Sequence, residues 1–536
     1  EKLNLNGRNI NLYGSLQAFS GAAPGIPAGT WNSQNWIGNS TNSTITFKGS
    51  SRIIIPKNSW SGFTTQSRYT VIFDPGAGNT LTIEEPFKAV KFILRSGIFR
   101  QKSEISVVPD FCASISFNTE TSFYPSGPFG DFIIESGGIF ISECSDNIIA
   151  RSISGSVSAN LFEIQSGGEL ILEGTSPKIE AATFQLNGKV TFRKNSGSQN
   201  ITLPTTLSLN GNISQVGIGV FNLTNTTLNL TGSTDQHIIG FAMNVNNLTL
   251  NKPAGTAFFE QNLTIRNNLK MDAGGINLQG NNLILNTLGS GGLEYNAGHW
   301  SNLGQFTYQN TPTSMTSVNA TFPFYDQYQG GIRKVQMLGT SAGGNLDIQF
   351  TEYKGADFNP SFNDLDGTPI LYRLFSYFNF SGLNASSNPL ELRISAEKLI
   401  VDEPEDLRLV CTGYAAPGNH IEGTDEINLW AIRSLTFDDL PGKNFTVGSF
   451  RTLSILPVTW LSVSAHLIDN LKQIAWSVAE EKDNEKFEIY SSNNPLKDWT
   501  KIGEVLSKGD SDTPALYSFT DENITKYFST YYLIRL

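Results

Sequence analysis

The chain has 536 residues, with 37 Lys and Arg against 48 Asp and Glu, giving a net charge of −11 and a pI near 5.0. This mild acidic excess offers no basic stripe for nucleic acid or for an anionic membrane surface. No run of 18 apolar residues provides a transmembrane helix.

Hydrophobic residues make up 39% and charged residues 16%, with 50 Gly. Apolar side chains spread along the whole length argue against disorder. The balance of Gly, Asn, Ser and Thr suits strands and turns, and 536 residues suffice for two to four domains.

Residues 1–44 are rich in Gly, Asn, Ser and Thr and contain Trp31 and Trp36. They read as a cap whose tryptophans close the open end of a β-stack; the rival reading is a sugar-stacking platform. From Thr44 strands follow one another: Thr44–Phe47, Arg52–Pro56, Tyr69–Phe73 and Thr80–Ile83. A turn of Asp, Pro, Gly and Asn lies at 74–79.

A diverged repeat then appears. Phe92-Ile-Leu-Arg-Ser-Gly97 returns as Phe132-Ile-Ile-Glu-Ser-Gly137, as Phe162-Glu-Ile-Gln-Ser-Gly167 and, more loosely, as Phe184-Gln-Leu-Asn-Gly188. The Phe and the next-but-one apolar residue are expected to point inward, with the Gly supplying a positive φ. Unequal spacing implies insertions between rungs. The leading leucines Leu207, Leu228 and Leu248 are more evenly placed.

Residues 247–286 keep restarting as short alternating strands between Gly/Asn turns, with no helical spacing between them. The economical packing is a parallel β-solenoid of about 11 rungs, stacked over roughly 50 Å. Asn-x-Ser/Thr sequons at Asn222, Asn229, Asn247 and Asn262 read as a by-product of Asn/Thr-rich rungs.

The character changes near Gly291, and Gly298–Trp300 with the polar stretch Gln309–Asn319 reads as a boundary. Longer alternating strands at Thr321–Phe324, Ile332–Met337, Leu346–Phe350 and Leu390–Ile394 predict an antiparallel sandwich. A second, small sandwich fills the last 80 or so residues. The predicted fold is therefore all-β: a cap (1–44), a parallel β-helix (45–300), an antiparallel β-sandwich (301–452) and an Ig- or fibronectin-like sandwich (453–536).

Residue types that carry chemistry are sparse. The four histidines, His237, His299, His420 and His466, have no metal-ligand spacing, and no GxSxG is present. No catalytic residue is assigned. Asp364 and Asp366, in the loop Asn363-Asp-Leu-Asp-Gly367, are oxygen donors of the kind calcium takes, although such loops also serve as plain turns. No other cofactor is expected. The tract Tyr372–Phe380 is unusually aromatic, so Tyr372, Phe375 and Tyr377 are candidate ligand contacts, as are Trp31 and Trp36. Cys112, Cys144 and Cys411 leave two readings open: a Cys112–Cys144 disulfide, or buried free thiols.

Two stretches resemble a known group. Trp476, Glu480, Asn484, Phe487, Glu488, Ile489, Ser491, Tyr517, Phe519, Asp521, Tyr531 and Tyr532 match the fibronectin-like module that precedes the sorting domain in exported Bacteroidetes proteins. Phe73–Gly78 and Pro86–Phe92 are similar to a segment of β-solenoid surface proteins of that phylum. The resemblance implies export through the type IX secretion machinery, a secreted or outer-membrane surface location and a sorting domain beyond Leu536. The start at Glu1-Lys-Leu-Asn4 is what a processed chain would show.

Three functions follow as expectations. One is a non-enzymatic adhesin or shaft that binds a surface glycan, a protein or further copies of itself. The second is a polysaccharide lyase or glycoside hydrolase on the β-helix, marked by acids and bases clustered on one face. The third is a subunit of a larger surface assembly, marked by an apolar patch or open sheet edge.

Overall fold

The computed structural model describes residues 3–14, 37–38, 42–49, 53–55, 69–83, 87–102, 115–117, 129–145, 148–149, 159–179, 181–194, 200–203, 206–217, 220–399, 401, 403–425, 427–450, 460–468, 471–478, 485–493, 499–509, 513–522 and 530–535. Trp31, Trp36 and Cys112 lie outside them. The protein is all-β, with a parallel β-solenoid and additional antiparallel sheets of sandwich type. It divides into two compact units: 1–325 with 340–349 and 380–386, and 326–339 with 350–379 and 387–536.

In the first unit the repeat positions read from the sequence fall into one stack. Ile10 pairs Ile45, Ile45 pairs Val71, and Val71 pairs Phe92, all in parallel register. Phe92 pairs Phe132, Phe132 pairs Phe162, and Phe162 pairs Phe184. The column continues through Leu207, Leu228, Leu248, Leu269 and Leu293.

Every side chain from Phe92 to Leu293 in this column is almost wholly buried. The ring centroids of Phe132 and Phe162 are 5.5 Å apart, and those of Phe162 and Phe184 are 5.1 Å apart. Such ring pairs add about 0.5–1.5 kcal/mol each beyond burial.

A second column faces the first. Leu81, Phe99, Phe140, Leu170, Val190 and Ile213 stack in register. From residue 243 a third is complete: Met243, Leu263, Leu283 and Phe306. The extra residues behind the unequal repeat spacing fall between strands Gly97–Gln101 and Phe129–Ile134, and between Gly138–Ser142 and Ala159–Ile164. At the far end the strand Phe306–Tyr308 pairs antiparallel with Leu346–Ile348, which ends this column, while Trp300 still pairs in parallel with Phe324.

The repeat glycines do two different jobs. Gly97 has φ +71°, the left-handed value expected from the sequence. Gly188 does not have a positive φ; a Cβ there would sit 2.4 Å from the carbonyl oxygens of Gln165 and Gly168 on the previous rung. Its small size permits the rungs to approach.

Cys144 is disulfide-bonded, and Cys411 is a buried free thiol. Burial pushes the Cys411 thiol up to about 11.

In the second unit, Val335–Gly339 pairs antiparallel with Leu390–Ile394, which pairs in turn with Ala431–Leu435. Among the described residues, the C-terminal module forms two three-stranded antiparallel sheets. Ile474, Trp476, Phe487, Ile489 and Tyr517 share its core, with the Trp476 and Tyr517 rings stacked at 5.7 Å. The Tyr532 hydroxyl donates to Asp521 at 2.8 Å. Among the described residues the strand Trp460–Ile468 lies at the edge of its sheet, and it exposes Leu461, Val463 and Leu467.

Because Leu248 is 1% exposed and lies between Leu228 and Leu269, Leu248→Ala removes buried volume that neighbouring rungs cannot refill. The expected loss is about 2–5 kcal/mol, read as a lower midpoint in guanidinium unfolding. An unchanged midpoint would mean that the column does not carry the stability.

Candidate functional site

One face of the solenoid carries a charged cluster that sequence reading missed. Outward positions on successive rungs bring Lys102, Glu143, Glu173 and Arg193 together, and Arg100 reaches both glutamates. Arg100 Nη1 donates to Glu143 Oε1 at 2.7 Å and to Glu173 Oε2 at 3.2 Å. Lys102 Nζ lies 3.0 Å from Glu143 Oε1, and Arg193 Nε lies 2.8 Å from Glu173 Oε1.

Two glutamates on adjacent rungs would repel at the inter-strand spacing of about 4.8 Å. The bridging arginine removes that cost. Burial works to raise the Glu143 carboxyl, but hydrogen bonds and charge from Arg100 and Lys102 outweigh it and hold it below its usual 4.5. A general acid needs the opposite shift.

Further along, polar side chains link the turns of neighbouring rungs. Asn210 Nδ2 donates to Asn187 Oδ1 at 3.1 Å, Asn267 to Asn247 at 3.1 Å, and Asn302 to Asn277 at 3.3 Å. These side chains satisfy one another as a ladder.

Lys252, 1% exposed, closes a buried turn: its Nζ donates to the Thr234 carbonyl at 2.9 Å and to Gln236 Oε1 at 2.7 Å. Burial lowers its pKa, partly offset by Asp235. His237 stacks on Phe258 and His299 meets Tyr325 at a tilt, each at 5.0 Å between centroids.

In the second unit, the loop weighed as a calcium site is held by arginines. Arg433 grips both oxygens of Asp364, at 2.9 and 3.0 Å, and its Nε donates to the Pro417 carbonyl at 2.7 Å. Arg408 Nη1 donates to Asp366 at 2.8 Å and to Asp364 at 3.4 Å. The side chains of Arg433 and Asp364 are each 1% exposed.

The positive charge these carboxylates attract is thus supplied from within the chain. Hydrogen bonding from Arg408 holds the Asp366 carboxyl well below the usual carboxylate range. Among the described residues, no three His, Cys, Asp or Glu converge as a metal-binding group. Beside this network, burial and then the charge of Arg408 push His420 down to about 4, against an opposing pull from Asp364.

The aromatic tract is not one strand. Tyr372–Leu374 and Tyr377–Leu383 are separate strands, with Phe375 and Ser376 between them. Tyr372 is 3% exposed and packs on Phe358, with centroids 5.0 Å apart. Phe375, 45% exposed, and Tyr377 instead line a pocket of about 390 Å³ with Tyr353, Lys354, Asp357, Arg373, Leu374, Thr412 and Gly413.

Antiparallel pairing of Ala356–Phe358 with Tyr372–Leu374 sets Asp357 opposite Arg373, and Arg373 Nη2 donates to the Asp357 carboxylate. Tyr353 and Tyr377 approach with ring centroids 6.4 Å apart. Tyr353, Asp357 and Arg373 were not singled out from the sequence, because only long-range pairing brings them to the tract.

No protein-family model matches the chain, and no curated protein or solved structure matches it either.

Two outcomes are expected. Asp364→Ala strands a buried guanidinium and costs about 3–5 kcal/mol, measurable by chemical unfolding. His420 is protonated near 6.5 when unfolded but only near 4 when folded, so the unfolded state binds more protons between those values. Stability should therefore fall as the pH drops from 6.5 towards 4, and His420→Gln should flatten that limb of the melting-temperature profile.

Proposed function

We propose that this chain is a non-enzymatic protein of the bacterial cell surface, exported by the type IX route, in which the solenoid is a passive shaft and the second unit holds the ligand contact. The observation that carries the reading is the contrast between two sets of side chains. The solenoid's Arg100, Lys102, Glu143, Glu173 and Arg193 engage one another, whereas Tyr353, Phe375 and Tyr377 line an open, largely apolar pocket. Exposed aromatic surface on Tyr377 at the start of a strand, and on Tyr353 and Phe375 in the segments between strands, suits adhesion to a glycan or protein.

Export rests on the resemblance of the C-terminal module. Its matching residues Trp476, Phe487, Ile489 and Tyr517 pack together, and Tyr532 meets Asp521. The exposed edge strand Trp460–Ile468 is the surface through which copies or other subunits would associate.

A second reading has its own support. Acids and bases do cluster on a solenoid face, which is what a carbohydrate-active enzyme on a β-helix would need. Incubating the purified chain with a polysaccharide panel and assaying reducing ends and unsaturated products separates the two. The adhesin reading expects retention without product. Product that disappears in Glu143→Gln would overturn it in favour of the enzyme.

A further inference from the structure

We propose that the pocket lined by Tyr353, Asp357, Phe375 and Tyr377 is a saccharide site that takes one neutral pyranose residue of a glycan. The proposal rests on the adhesin reading above and gives its ligand a chemical class.

A pyranose is amphipathic: a patch of C–H groups on one or both faces, with hydroxyls around the rim. Recognition needs aromatic surface for the patch and a fixed acceptor for the hydroxyls. The pocket supplies both. Tyr353 is 53% and Phe375 45% exposed, and the Tyr377 ring lies 6.4 Å from that of Tyr353 at 35°. The two tyrosine rings, together with Phe375 in the same lining, offer stacking surface for such a patch. A volume of about 390 Å³ lies at the small end of the range for ligand pockets and suits one sugar ring better than a folded peptide segment.

The acceptor is Asp357, whose side chain is 46% exposed while its partner Arg373 is 4% exposed. Arg373 is itself immobilised, with its guanidinium carbon 4.0 Å from the centre of the Phe362 ring. A carboxylate anchored from behind presents free lone pairs at a fixed angle, as two adjacent sugar hydroxyls require.

Charge narrows the class. Lys354 and Arg373 outnumber Asp357 among the lining residues, so the pocket is not an anionic cage for quaternary ammonium groups. The net charge of −11 across the whole chain disfavours an extended polyanion. A neutral sugar satisfies both constraints, with Lys354 and Thr412 as rim donors or acceptors.

The test uses the full chain on immobilised neutral hexose, N-acetylhexosamine and hexuronate oligosaccharides, with a choline conjugate alongside. Wild type should retain at least one neutral oligosaccharide. Phe375→Ala and Tyr353→Ala, both at exposed positions, should each weaken that binding about tenfold or more at an unchanged melting temperature. Asp357→Asn should weaken it while keeping an acceptor for Arg373.

Retention of no neutral sugar overturns the inference, as does preference for hexuronate. So does choline binding that is lost in Phe375→Ala, which would mark a cation cage. Neutral-sugar binding that all three variants preserve overturns it too, yet leaves the adhesin reading standing with its contact elsewhere. Failure of the adhesin reading itself would appear as polysaccharide cleavage.

Discussion

The structure depends on apolar side chains meeting their own kind on the next rung. No single strand of the solenoid can bury a face alone; Leu207–Leu209, Leu228–Leu230 and Leu248–Leu250 do so only because parallel pairing sets them in register. Once the register is fixed, outward positions align as well. That alignment is both a constraint and an opportunity. Like charges such as Glu143 and Glu173 become neighbours and need Arg100 between them, while asparagines become hydrogen-bonded ladders.

The second unit answers a different constraint. Its antiparallel strands leave loops whose polar groups must be satisfied, and buried arginines do this. Arg433 joins Asp364 to the carbonyls around Pro417, Arg333 meets Asp326 with both side chains nearly inaccessible, and Arg373 anchors Asp357. The loop with calcium-like composition and the pocket's acidic residue are thus instances of one device. In both, a fixed guanidinium positions a carboxylate. At Asp364 the carboxylate is consumed in the fold, whereas at Asp357 nearly half of its side chain faces solvent. On the proposed reading that difference separates a structural loop from a binding surface.

Strand period and the phenylalanine repeat made the solenoid legible, because a local two-residue alternation and a recurring turn are properties of contiguous sequence. Phe92, Phe132, Phe162 and Phe184 each open the same short motif and do stack in register. The separate roles of Gly97 and Gly188 could not be told apart, since one answers to backbone angle and the other to the rung before it.

The site was only partly legible. Phe375 and Tyr377 stood out by composition, and Tyr372 stood out equally although it is buried. Asp357 and Arg373 lie on different strands, and nothing in their immediate sequence announces the pairing. The charged cluster from Arg100 to Arg193 was hidden for the same reason: even the directly bonded pair Arg100 and Glu173 lies 73 residues apart.

The most direct test of the central claim, that in-register apolar stacking holds the solenoid together, is hydrogen–deuterium exchange followed by mass spectrometry on the intact chain. Peptides spanning Leu207, Leu228 and Leu248 should be among the slowest to exchange, well behind the exposed segments at Lys354 and Gly413. Exchange of those three rungs as fast as the exposed segments would contradict the account.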